Sequence, residues 1–179
     1  FLKPHKVIGF LEKPLYFTAN LIKLSRWISN RKAEDCFNDF FSAKRDYSKR
    51  YKLYDFVSKK YGLTKDEIIY LEFGVFEGHS FNWWLGENSH PESRFYGFDT
   101  FEGLPEHWGM FFGKGTLMAN VPEINDTRAT FIKGLFQETL PGFLREGELL
   151  NKRRKVILFD ADLFSSTLFS LSSLHPFLN

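Results

Sequence analysis

Apolar and polar positions recur along this chain with two periods. From residue 61 onward, short apolar runs bounded by glycine, proline and acidic residues predict strands at 68–73, 94–98, 129–133 and 155–160. Between them, apolar residues at helical spacing predict helices at 79–86, 137–147 and 163–175. Strands that alternate with helices pair in parallel through right-handed crossovers, so this part reads as α/β. One connection follows neither period. The stretch from Asp99 to Arg128 is rich in glycine and aromatic residues, including His107, Trp108, Phe111 and Phe112, and is expected to contact a ligand or act as a lid.

Upstream the pattern is helical only. Over 34–60 an aromatic and apolar stripe (Phe37, Phe40, Phe41, Tyr47, Tyr51, Tyr54, Phe56, Val57) runs among charges, and Gly62 is the expected stop. Residues 1–32 are basic; Pro4 and Pro14 should interrupt any early helix, and an amphipathic helix is expected from Tyr16 onward. The predicted division is 1–60, a basic helical extension serving as lid, dimer arm or surface arm, and 61–179, the α/β domain. The extension's apolar side either packs on the domain or supports a homodimer.

Charge sharpens that division. Residues 1–60 carry 14 Lys/Arg against 6 Asp/Glu, and residues 61–179 carry 10 against 16, although the net charge of the chain is only +2. Apolar residues make up 43%, enough for a folded core and too many for a disordered chain. The 22 phenylalanines suit an aromatic core. Cys36 is the single cysteine, so no internal disulfide forms. With no secretory signal pattern and no apolar run of membrane-spanning length, a cytoplasmic location is expected. The sequence has no Cys/His zinc cluster, no Gly-x-Ser-x-Gly elbow, no phosphate-binding Gly-Lys-Ser/Thr loop and no nucleic-acid motif.

The candidate chemistry gathers at the predicted strand ends. The apolar run of the first strand ends in the acid Glu72 and the glycines Gly74 and Gly78, which read as a tight turn leading into a helix N-terminus. A dinucleotide turn needs glycine at position 76, where a pyrophosphate approaches the backbone; this chain has Phe76, which suits a ligand without one. Ser80, beside His79, is either a helix cap or a carboxylate contact. Asp99 ends the second strand, where a carboxylate accepts hydrogen bonds from ribose hydroxyls; the alternative is a turn aspartate. Phe136 and Gln137 follow the third strand, either facing an adenine ring or as an ordinary loop. Asp160 and Asp162 follow the fourth. Two acids so close suit a divalent metal or a general base, while Asp162 also reads as the cap of the next helix.

Three segments together resemble class I S-adenosylmethionine-dependent methyltransferases, more closely the macrocin O-methyltransferase family of small-molecule enzymes. They are Leu71-Glu72-Phe73-Gly74-Val75-Phe76-Glu77-Gly78, Tyr96-Gly97-Phe98-Asp99-Thr100-Phe101-Glu102-Gly103-Leu104-Pro105 and Asp160-Ala161-Asp162-Leu163-Phe164-Ser165-Ser166-Thr167. Gly134 to Pro141 also matches. The resemblance implies a Rossmann-like doubly wound parallel sheet and methyl transfer from S-adenosylmethionine to a small-molecule hydroxyl. It places Glu72, Gly74, Phe76, Gly78, Ser80, Asp99, Thr100, Phe136 and Gln137 at the cofactor. It makes Asp160 a magnesium ligand, with Asp162 as second acid or base. It also implies a further strand with two acidic residues beyond Asn179, so the chain reads as truncated at its C-terminal side. Neither nucleic acid nor a membrane span is expected. A nucleotide-binding oxidoreductase and a non-catalytic methyltransferase-like protein are the competing readings.

Overall fold

The computed structural model describes residues 3, 8–30, 46–109, 111–150 and 153–178. Contacts divide the chain into two compact units, Phe1–Phe41 and Ser42–Asn179. In the first, helix α1 (Glu12–Ser29) leaves Leu15, Phe17, Leu21 and Ile22 exposed. It starts four residues earlier than expected. Pro14 lies in its first turn, where the missing N–H has no intrahelical partner to lose.

The second unit holds a four-stranded parallel sheet in the order β3-β2-β1-β4, from β1 (Ile68–Phe73), β2 (Arg94–Asp99), β3 (Ala129–Lys133) and β4 (Arg154–Phe159). The first and third strands match their predicted bounds. The fourth ends one residue early, so Asp160 lies just beyond it. Helices α2 (Lys49–Tyr61), α3 (His79–Glu87), α4 (Phe136–Arg145) and α5 (Phe164–Leu174) complete this Rossmann-like α/β unit. The predicted aromatic stripe falls partly on α2; its Phe37, Phe40 and Phe41 lie outside the described residues. The division by contacts falls at 41/42, which puts α2 in the unit that holds the sheet. Tyr54 and Ser58 of α2 are buried, and Ser58 Oγ donates to Glu87 Oε1 at 2.8 Å, which ties α2 to α3.

The alternation along β1 sorts the core into two faces. Ile68 and Tyr70 pack with Tyr54, Phe81 and Trp84 of α2 and α3. Ile69, Leu71 and Phe73 pack with Phe136, Leu140 and Phe143 of α4 and Leu174 of α5. Helices thus cover both faces, and the strand order reverses direction at β1. In open α/β sheets that switch point is where the carboxyl ends of the strands open a crevice.

Candidate functional site

A cleft of about 620 Å³ lies at those carboxyl ends. Its wall includes Glu72, Gly74, Phe76, Ser80, Asp99, Thr100, Phe136, Gln137, Asp160 and Asp162, so the structure gathers ten of the eleven expected site residues. Gly78 is the exception. It caps α3 in the left-handed region at φ 77°, and a Cβ there would stand 2.8 Å from Pro122 Cγ of the long loop. Its smallness serves the packing of that loop. Gly74 is different: it lines the cleft at φ 94°, and a Cβ would come within 2.7 Å of the Asp160 carbonyl oxygen. This glycine lets the ends of β1 and β4 approach.

Phe76, where a dinucleotide turn would carry glycine, also has a left-handed backbone, φ 53°. The turn is held by Asp99, whose Oδ2 accepts from the Val75 N–H (2.7 Å) and the Phe76 N–H (2.9 Å). Its Oδ1 accepts from the Phe101 N–H at 2.8 Å. Asp99 therefore clasps the ends of β1 and β2, and with three of a carboxylate's roughly four acceptor sites used it keeps about one for a ligand. Thr100 Oγ1 donates to the Gly103 carbonyl at 2.9 Å and shapes the next turn.

Glu72 follows Tyr70 on the same face of β1 and is almost fully buried, accepting the Tyr70 hydroxyl at 2.6 Å. Burial pushes its pKa up to about 8 against the opposing Tyr70 hydrogen bond, and the neighbouring Asp160 adds to the rise. Asp162 is raised by burial and then by the charges of Asp160 and Asp99. The cap of α5 is Leu163 and no side chain caps it, so the capping reading of Asp162 does not hold. Nor does Ser80 cap α3. Ser80 is buried, its hydroxyl 3.1 Å from that of Tyr54. Phe136 packs edge-on against Phe73, ring centroids 5.3 Å apart, and belongs to the core as much as to the cleft.

Sequence reasoning missed Arg50. Its Nη1 donates to Asp160 Oδ2 at 3.2 Å and to Ser80 Oγ at 3.3 Å. Tyr47, Arg50, Tyr51 and Tyr54 recur at i, i+3, i+4 and i+7, one face of a helix, and Tyr47, Arg50 and Tyr51 line the cleft. An arginine inside an aromatic stripe was the available signal. Of the long loop, Gly103, Leu104, Pro105 and Leu117 line the cleft, while the rings of Trp108 and Phe112 pair 5.0 Å apart and Phe111 is exposed.

The residues present do not by themselves support the magnesium expected at Asp160. Asp160 already has a guanidinium partner, and among the described residues no group of three or more His, Cys, Asp or Glu is arranged to hold a metal. The cleft does suit a cationic organic ligand. Glu77, Asp99, Asp160 and Asp162 all line it.

This is a crevice at the carboxyl edge of a Rossmann-like parallel sheet. A family model described as a methyltransferase domain matches residues 71–179, and the chain belongs to that family of S-adenosylmethionine-dependent enzymes. No curated protein and no solved structure matches the chain. Membership decides against the oxidoreductase reading. Among the described residues no helix is long and apolar enough to cross a membrane.

Proposed function

We propose that this protein transfers a methyl group from S-adenosylmethionine to a hydroxyl of a small molecule, as its resemblance to the macrocin O-methyltransferases implies. The observation that carries the reading is the convergence of the Gly74 turn, Asp99 and the Asp160/Asp162 pair on one acidic cleft. When bound, S-adenosylmethionine supplies an electrophilic methyl group on a sulfonium. Asp99 takes a ribose hydroxyl on the acceptor site that the turn leaves open. Gln137, exposed on the cleft wall, meets the adenine edge. Asp160 is engaged by Arg50, which leaves Asp162 as the base. Asp162 accepts the acceptor's hydroxyl proton as the oxygen bonds to the methyl carbon and the carbon–sulfur bond breaks. The products are a methyl ether and S-adenosylhomocysteine. Its raised pKa brings Asp162 nearer the operating pH, which favours general-base work.

Calorimetric titration tests the cofactor assignment. The parent chain should bind S-adenosylhomocysteine and give no heat with NAD. Asp99→Asn should weaken that binding by roughly 10–100-fold, the loss of charge-assisted hydrogen bonds. A parent chain that binds NAD and not S-adenosylhomocysteine rejects the assignment.

A further inference from the structure

The cleft has one feature that methyl transfer to an unspecified hydroxyl leaves unused. Four carboxylates line it (Glu77, Asp99, Asp160 and Asp162), with Glu72 beside them held protonated by burial, yet Arg50 is the only lysine or arginine on its wall among the described residues. A guanidinium offers five N–H donors. Here Nη1 alone is engaged, with Asp160 Oδ2 and Ser80 Oγ; among the described residues Nη2 and Nε donate to nothing. The Arg50–Asp160 pair is open to solvent, with side-chain exposures of 33% and 48%. The guanidinium also has neighbours that place it. It lies over the Tyr47 ring at 5.3 Å, and Ser80, which it touches, is buried and bonded to Tyr54. A half-used guanidinium inside a cleft otherwise acidic is a socket for one anionic group of a ligand that also carries cations.

Resting on the cofactor reading above, we infer that Arg50 receives the carboxylate of the amino-acid tail of S-adenosylmethionine, with Ser80 beside it, while the surrounding acids face the ligand's sulfonium and ammonium. The chemistry is one of matching signs. That ligand has two cationic groups and one carboxylate; the cleft has several carboxylates and one guanidinium. Arginine suits the task because its planar fork meets a carboxylate with two parallel N–H donors. Arg50 is contributed by α2, outside the residues the family model matches, so the helix before the sheet completes the cofactor site.

Two ligands separate this role from a structural one. S-adenosylhomocysteine carries the amino-acid carboxylate; 5′-methylthioadenosine has the same thioether nucleoside without it. Both are titrated calorimetrically into the full chain and into Arg50→Met and Arg50→Lys. Arg50→Met should lose roughly 10–100-fold in affinity for S-adenosylhomocysteine and stay within about 3-fold of the parent for methylthioadenosine, with Arg50→Lys between. Parent-like affinity of Arg50→Met for S-adenosylhomocysteine overturns the inference. So does an equal loss for both ligands, which would mark a change of shape. If the parent binds neither ligand, the cofactor reading itself fails and this inference with it; binding of both by the parent separates the two failures.

Discussion

The two ends of the sheet each carry an arginine paired with an aspartate, and the pairs differ in saturation. At the amino end, Arg128 uses all three guanidinium nitrogens. Nε and Nη2 donate to the Asp126 carboxylate, Nη1 to the Asn88 and His90 carbonyls, and Nη2 also to the Leu85 carbonyl, with distances from 2.7 to 3.3 Å. Its guanidinium also lies over the Phe95 ring. Hydrogen bonds from Arg128 hold the Asp126 carboxyl below its usual range. At the carboxyl end, Arg50 engages through one nitrogen and remains open to the cleft. A saturated pair joins the end of α3 to the entry of β3 and has nothing left for a ligand. An unsaturated pair in a cleft is chemistry waiting for a partner. The ion types are identical; what separates structural from functional use is how many donors the fold has already consumed.

The largest effect should come from breaking the saturated pair. Arg128→Met keeps side-chain length but leaves three backbone carbonyls and Asp126 without their donor. Stability in urea should fall by about 2–4 kcal/mol, because stranded polar groups keep their desolvation cost. Affinity of the folded protein for S-adenosylhomocysteine should not change. A loss under about 1 kcal/mol would remove the distinction drawn between the two ends.

A smaller effect concerns Glu72, behind the open pair. Its folded pKa of about 8 lies above the ordinary 4.5, so the folded chain keeps a proton that the unfolded chain releases between those values. Its contribution to stability is therefore full below pH 4.5 and is lost as pH rises towards about 8. Glu72→Gln cannot titrate. Between pH 5 and pH 8 it should lose less stability than the parent, by roughly 1–3 kcal/mol in urea unfolding. Equal slopes for both chains would show that Glu72 ionises without cost in the folded state.

The smallest effect has the opposite sign. Asp162 is raised by burial and by like charges, so its ionised form is disfavoured in the folded chain. Asp162→Asn should stabilise the protein by under about 1 kcal/mol at pH 7, read as a raised melting temperature, while abolishing methyl transfer to an accepted hydroxyl substrate. A lost cap would instead cost about 0.5–2 kcal/mol with turnover unchanged. That outcome would return Asp162 to a structural role and leave the cleft without its base.

Local signals in the sequence decided most of the sheet. The apolar run at 68–71 and the glycines after it predict β1 and its turn, because strand period and left-handed turns are set by neighbouring residues. The acids at strand ends were legible for the same reason: Glu72, Asp99, Asp160 and Asp162 each follow a short apolar run, and parallel order brings such ends to one side. Other roles depended on distant partners. Arg50 meets Asp160 across 110 positions of chain, and no spacing rule reaches that far. On its helix it read as one more charge beside an aromatic stripe. Asp99's double use was hidden because its clasp depends on Val75 and Phe76 turning their amides towards it. Gly78 was legible as a turn residue, but its neighbour Pro122 comes from the far end of a loop without periodicity. Sequence alone determined which residues form strands, turns and acidic ends, since those follow from local sterics and burial. Only the tertiary structure decided which charges meet, which donors are spent and which stay available, because saturation is a property of neighbours in space.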